Sequence, residues 1–208
     1  MKVLTSLFLR AKHWQVFLLL LGIPMLYFVQ MMVALFGPQP APGDTGFTTV
    51  LNEPFLTFGL FPYVMAYVTL VYFGWLWALG SGLRPYIPST ERRDLFRFRL
   101  AIIVPLLFIL GLMGYLVVAF GTASGNSSFS LIGPFWTVFI PLNVLVMACL
   151  CYCLFFAAKT LKSAELQRRA SFQERIGEFL LLWFCAIGIW IIQPKANRLA
   201  IKPFFKSS

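Results

Sequence analysis

Charge is scarce in this chain: only 12% of its 208 residues are Asp, Glu, Lys or Arg, about half the share of an ordinary soluble domain. That scarcity excludes a water-soluble globule. With 60% hydrophobic residues and a mean hydropathy of +0.82, there is more apolar surface than a core of this size can hide. Histidine occurs once, at His13, so imidazole acid–base chemistry has almost nowhere to reside. A Walker A loop, Gly-x-Ser-x-Gly, His-Glu-x-x-His and paired intramembrane aspartates are all missing. The four cysteines, Cys149, Cys151, Cys153 and Cys185, all sit in apolar runs, which excludes a disulfide framework in an outer loop. Metal is not expected either. On a helix Cys149 and Cys153 share a face while Cys151 points away, and no histidine is near to complete a tetrahedral site. They read as small packing residues, and no cofactor is implied.

What the chain has instead is long apolar runs. Trp14 to Phe36, Phe55 to Leu79, Leu100 to Phe120 and Leu131 to Ala158 are each long enough to cross a hydrocarbon core of roughly 30 Å. The first is preceded by Lys2, Arg10, Lys12 and His13, as in a signal peptide. It is too long for a signal core and lacks a small-x-small cleavage site, so it reads as an uncleaved span. The expected fold class is all-α, a polytopic transmembrane helix bundle, forming a single membrane domain over residues 1–208.

The connections alternate in charge. Outer loops are expected at 37–54, which holds Asp44 and Glu53 but no Lys or Arg, and at 121–133, which holds no charge. Cytoplasmic loops are expected at 81–99, with Arg84, Arg92, Arg93, Arg97 and Arg99, and at 159–175, with Lys159, Lys162, Arg168, Arg169 and Arg175. Positive residues stay inside, so the N-terminus is placed in the cytoplasm. The formal net charge of +10 is thereby assigned to the inner face, against anionic lipid headgroups, and no nucleic-acid partner is expected. Arg92, Arg93, Arg97, Arg99, Lys159, Lys162, Arg168 and Arg169 are the candidate lipid contacts, with docking of a cytoplasmic protein as the sharper alternative. Ser89 or Thr90 can cap a helix leading into the third span, and Glu165 can pair with Arg169 at i,i+4.

A fifth apolar run, Phe179 to Ile192, is harder to place. Its fourteen residues rise only about 21 Å, and Lys195, Arg198, Lys202 and Lys206 follow it. If it spans, those four charges lie outside; if it does not, all seventeen Lys and Arg are inside. Ser171 with Glu174 forms a capping-box pattern, which predicts a helix from Phe172 to a stop at Gln193-Pro194. Such a helix, roughly 31 Å long, favours a fifth span over about 176–193. A re-entrant hairpin is disfavoured by the lack of a turn, Gly188 being the sole breaker.

Few residues stand out as candidate sites. Gln30 and Asn143 are the polar exceptions inside the spans, and Glu178 sits at the inner edge of the fifth run. Pro141 and Asn143 place a kink and an amide within one turn, a plausible lining for a small polar site. Tyr63, Tyr67 and Tyr72 with Trp75 and Trp77 make the second span aromatic, suiting interfacial anchoring or, less simply, a slot for a quinone. Gly74, Ala78 and Gly82 form a small-residue stripe, as do Cys149, Cys153 and Ala157, for packing within the chain or against a partner. Asn126-Ser127-Ser128 is a sequon on an outer loop.

The segment FLLLWFCAIGIWIIQPKANRL, Phe179 to Leu199, resembles the C-terminal pattern of small uncharacterised multispanning membrane proteins of Bacteroidota-type bacteria. That resemblance covers about a tenth of the chain. It implies a bacterial inner membrane and carries no functional residue across. Three functions remain in view: a non-catalytic membrane subunit or scaffold contacting other chains or a second copy of itself, a small-solute transporter or channel, and a lipid- or quinone-linked enzyme. The first follows best from the missing catalytic groups and the missing buried charge.

Overall fold

The computed structural model describes residues 2–37, 54–87, 95–123 and 132–201. Every regular element among them is helical. The helices are α1 (Lys2–Arg10), α2 (His13–Phe17), α3 (Ile23–Phe36), α4 (Pro54–Gly82), α5 (Leu95–Ala123), α6 (Ile132–Leu166), α7 (Phe172–Trp183) and α8 (Cys185–Ile201). Four helical stretches are long and apolar enough to cross a bilayer: His13–Phe36, Phe58–Tyr86, Leu95–Val118 and Phe139–Leu166. The chain is an integral membrane protein built on these four. Much of the 37–54 and 121–133 connections, the Asn126 sequon and the 88–94 segment with Ser89, Thr90, Arg92 and Arg93 lie outside the described residues.

The first span is not a uniform α-helix. Pro24 has no N–H to give the Leu20 carbonyl, and the strain is taken up by a π-helical turn over Leu18–Gly22, closed by the Ile23 N–H on the Leu18 carbonyl. Before it, extended backbone at Lys12 separates α2 from α1. The Gln15 side chain accepts the Lys12 N–H at 2.9 Å and so caps the new start. Helix α1 was not foreseen as an element, because nine residues without a cap carry little signal.

Helix α4 is the centre of the bundle and packs against α1, α3, α5 and α6. Its stripe of small residues has an occupant within the chain: Phe8 of α1 lies against Gly74, and Thr5 and Leu9 against Gly82. Gly80 takes the Phe98 ring of α5, which stacks on Phe156 of α6 with centroids 4.4 Å apart. The buried core, including Trp75, Leu76, Leu79, Phe98, Leu154 and Leu161, belongs to the half of the bundle nearer the basic residues. In the opposite half, Met25, Leu26 and Phe28 of α3 and Ile140, Val144 and Leu145 of α6 are exposed.

The fifth apolar run corrects the sequence reading. Residues 176–193 do not make one spanning helix, because the chain reverses at Phe184 (φ −88°, ψ 67°) between α7 and α8. The reversal is evident from Glu178 and Lys195, which meet at 3.2 Å although a continuous helix would hold them roughly 25 Å apart. Phe184 needs no turn motif, since it closes both helices itself. Its N–H bonds the Leu180 carbonyl, and its carbonyl accepts the N–H groups of Ile187 and Gly188. Gly188 then lets α8 press against the Leu181 carbonyl, where any Cβ would collide. Pro194 is not a stop either: α8 continues through it to Ile201.

The expected capping box opens α7. Ser171 Oγ accepts the Glu174 N–H, and the Glu174 carboxylate accepts the Ser171 N–H at 2.7 Å. Glu165, however, pairs with Lys162 at 3.0 Å rather than with Arg169, because α6 ends at Leu166 and Arg168 turns to Glu174 at 2.6 Å. The helix end is held by Gln167, whose φ of 52° is left-handed and normally favours glycine. Its side chain compensates by donating to the carbonyls of Ala164 and Tyr86 at 2.7 and 2.9 Å.

Gly188→Ala is expected to destabilise the protein in detergent by about 1–3 kcal/mol through overpacking. Gly177→Ala, whose Cβ meets open space, serves as the neutral control in the same thermal melt. The Ser171 N–H and then Arg168 hold the Glu174 carboxyl below its ordinary value. A carboxyl depressed in the fold stabilises α7 above the ordinary Glu range and ceases to do so as pH falls through the lowered value. An NMR titration in micelles should show the Glu174 midpoint rising in Arg168→Ala; an unchanged midpoint would remove Arg168 from the cap.

Candidate functional site

The helix break at Lys12 and the returning arm of the hairpin meet at one side chain. Gln193 of α8 is wholly buried, and its Oε1 accepts the indole N–H of Trp75 at 2.9 Å. Its amide nitrogen lies 2.6 Å from the Phe8 carbonyl, 3.1 Å from the Ala11 carbonyl and 3.0 Å from Asn197 Oδ1. Two hydrogens are thus shared over three acceptors. Asn197, one turn on, donates to the Ala11 carbonyl at 2.9 Å. Phe8 and Ala11 lie where α1 ends, so the carbonyls that a helix C-terminus leaves over are satisfied from α8. Trp75 is therefore a buried link rather than an interfacial anchor, while Trp77 lies beneath Arg99, 5.6 Å from its ring centroid.

Near Gln193, a second polar group joins α6, α7 and α8. Glu178 is only 5% exposed, and its Oε1 lies 3.4 Å from Lys162 Nζ and 3.2 Å from Lys195 Nζ. Lys162 also reaches Glu165, giving a cluster of two acids and two lysines with no net charge. Such a cluster is a clasp, since a buried carboxylate that loses its partner is strongly destabilising. Nearby, the Tyr72 hydroxyl donates to the Leu182 carbonyl at 3.4 Å, and Tyr86 donates to the Ala200 carbonyl at 2.9 Å. The first phenol ties α4, and the second the turn that follows it, to the α7–α8 hairpin.

Of the residues singled out in the sequence, Glu178, Lys162, Lys195, Tyr72 and Trp75 enter this site. Gln30 is half-buried on α3, and Pro141 and Asn143 are exposed on α6. Lys159 is buried and Lys162 is paired with acids, whereas Arg97, Arg99, Arg168 and Arg169 remain exposed. The tyrosines of the second span do not share one slot: Tyr63 is exposed, the Tyr67 hydroxyl is buried with no partner among the described residues, and Tyr72 holds the hairpin. Gln193 was read as part of a helix stop, and Asn197 was not singled out. The available signal was an amide beside a proline at the end of an apolar run, spaced i,i+4 from a second amide.

No protein-family model, curated protein or solved structure matches the chain.

Gln193→Leu strands the Trp75 N–H and the Phe8 carbonyl, while the Ala11 carbonyl keeps Asn197, and is expected to cost at least about 2 kcal/mol. Trp75→Phe, which loses a single bond to the network, is expected to cost about 1 kcal/mol by the same measure. Equal midpoints for the two variants in a detergent melt would mean that Gln193 holds no more than the indole.

Proposed function

We propose that the chain is a non-catalytic subunit or scaffold of a bacterial inner membrane, joined within the bilayer to another membrane-spanning chain or a second copy through the outer half of α6. The observation that carries this reading is Asn143. Its amide is exposed among Ile140, Leu142, Val144 and Leu145, on a stretch of helix that the other described residues leave open. A primary amide facing acyl chains has lost water and gained nothing, whereas a second helix can offer it a hydrogen bond of about 0.6–2 kcal/mol. A transporter would draw on Gln30 and Asn143 as groups lining a cavity; an outward-facing Asn143 supports contact between chains instead. The inner-membrane assignment rests on the resemblance of Phe179 to Leu199. The cytoplasmic placement of the basic end rests on its arginines and lysines.

A photo-crosslinker at Val144 in native membranes is expected to give a discrete adduct with one further chain. Asn143→Leu should weaken that association roughly 3- to 30-fold. A monodisperse monomer in mild detergent, with no adduct from position 144 in membranes, would contradict the proposal.

A further inference from the structure

The position of the α7–α8 hairpin relative to the spans defines its depth. On α6 the first basic residue is Lys159, and on α4 Trp77 lies beneath Arg99, so these two levels mark where headgroups begin. The apex of the hairpin lies at Tyr72, whose hydroxyl bonds the Leu182 carbonyl and has Cys153 and Cys185 close by. Cys153 precedes Lys159 by six residues, so the apex lies about 9 Å on the hydrocarbon side of the first lysine. Half of the hydrocarbon core is about 15 Å. The hairpin stops short of the midplane.

Its other end returns to where it began. Tyr86 bonds Ala200 near the end of α8, and Gln167 at the end of α6 bonds Tyr86, which puts the two helix ends side by side. Between apex and ends the hairpin exposes an apolar stripe, Ile176, Leu180, Trp183, Phe184, Ile187 and Trp190. Exposed Arg168, Arg169 and Arg198 border it at the level of the returning ends. An apolar stripe set about 5–10 Å deep under a basic rim is how a helix lies in one leaflet against anionic lipid.

We propose that the α7–α8 hairpin is seated in a single leaflet, the one at the basic end of the bundle, with its exposed stripe against acyl chains and with the chain leaving α8 on the side from which it entered α7. The partner of the stripe is lipid. All seventeen Lys and Arg then belong to one side of the membrane, which removes the conflict between a fifth span and Lys195, Arg198, Lys202 and Lys206. This seat does not depend on any contact at Asn143.

Two measurements test it. Reporter pairs that are active on opposite sides of the membrane are fused to the full chain at its C-terminus, inserted within 88–94 and inserted within 124–131. The C-terminal fusion is expected to match the 88–94 insertion and oppose the 124–131 insertion; the reverse would mean that 172–201 spans, and would overturn the proposal. In proteoliposomes with lipids brominated at shallow or deep acyl positions, wild type is compared with Trp183→Phe, Trp190→Phe. The fluorescence that the double variant loses is expected to be quenched most by shallow bromines. A lost component that no bromolipid quenches would show the stripe covered by protein, and would overturn the lipid seat. Should the double variant not fold, the fusions decide by themselves.

Discussion

Backbone carbonyls left over where a helix breaks must find donors, and a bilayer offers none. In this chain the donors come from Gln193 and Asn197, which take up the carbonyls of Phe8 and Ala11 while Gln193 also receives Trp75. The N-terminal helix, the central span and the returning arm of the hairpin are thereby held at one point. The reversal at Phe184 is what brings Gln193 there. Had α7 run straight on into α8, residue 193 would lie roughly 14 Å beyond Phe184 along the helix axis, far from the α1 end.

The same reversal explains why the bundle is unequal along its length. Near the basic residues the spans are joined by α1 and the hairpin, and the side chains of Trp75, Phe98, Leu161, Leu182 and Ile192 are fully enclosed. Toward the other end α3 and α6 present exposed apolar faces, with the Asn143 amide on one of them. In lipid such faces cost little, because acyl chains are as apolar as leucine; packing between helices there depends on small residues and polar bonds. At the basic end Gly74, Gly80 and Gly82 admit Phe8, Phe98, Thr5 and Leu9, whereas Gly59, Gly111 and Gly114 toward the other end meet nothing within 4 Å. The Glu178 clasp adds to the same half, tying α6, α7 and α8 through Lys162 and Lys195.

The four spans were legible in the sequence because each is a long apolar run with charge confined to its ends, a pattern that depends on no tertiary contact. The capping box at Ser171 and Glu174 was legible for the same reason, being local. The hairpin was not. Its turn uses an ordinary phenylalanine, and what selects the turn is the distant pairing of Glu178 with Lys195 and the room Gly188 leaves for Leu181. Gln193 and Asn197 were hidden likewise, since their partners are backbone atoms some 180 residues away in the chain. Glu178 was marked as the acid at the inner edge of the run, and its burial between two lysines gives that mark a structural meaning. Asn143 was noticed for its amide, but the direction in which it faces depends on how α6 is turned in the bundle.

The reversal at Phe184 is the claim on which these relations rest, and a pulsed spin-label distance between Ile176 and Arg198 tests it most directly. Packed helices folded back at Phe184 place the two labels roughly 10–20 Å apart, allowing for the label arms. A single continuous helix through 172–201 would hold them roughly 33 Å apart, and that distance would contradict the account.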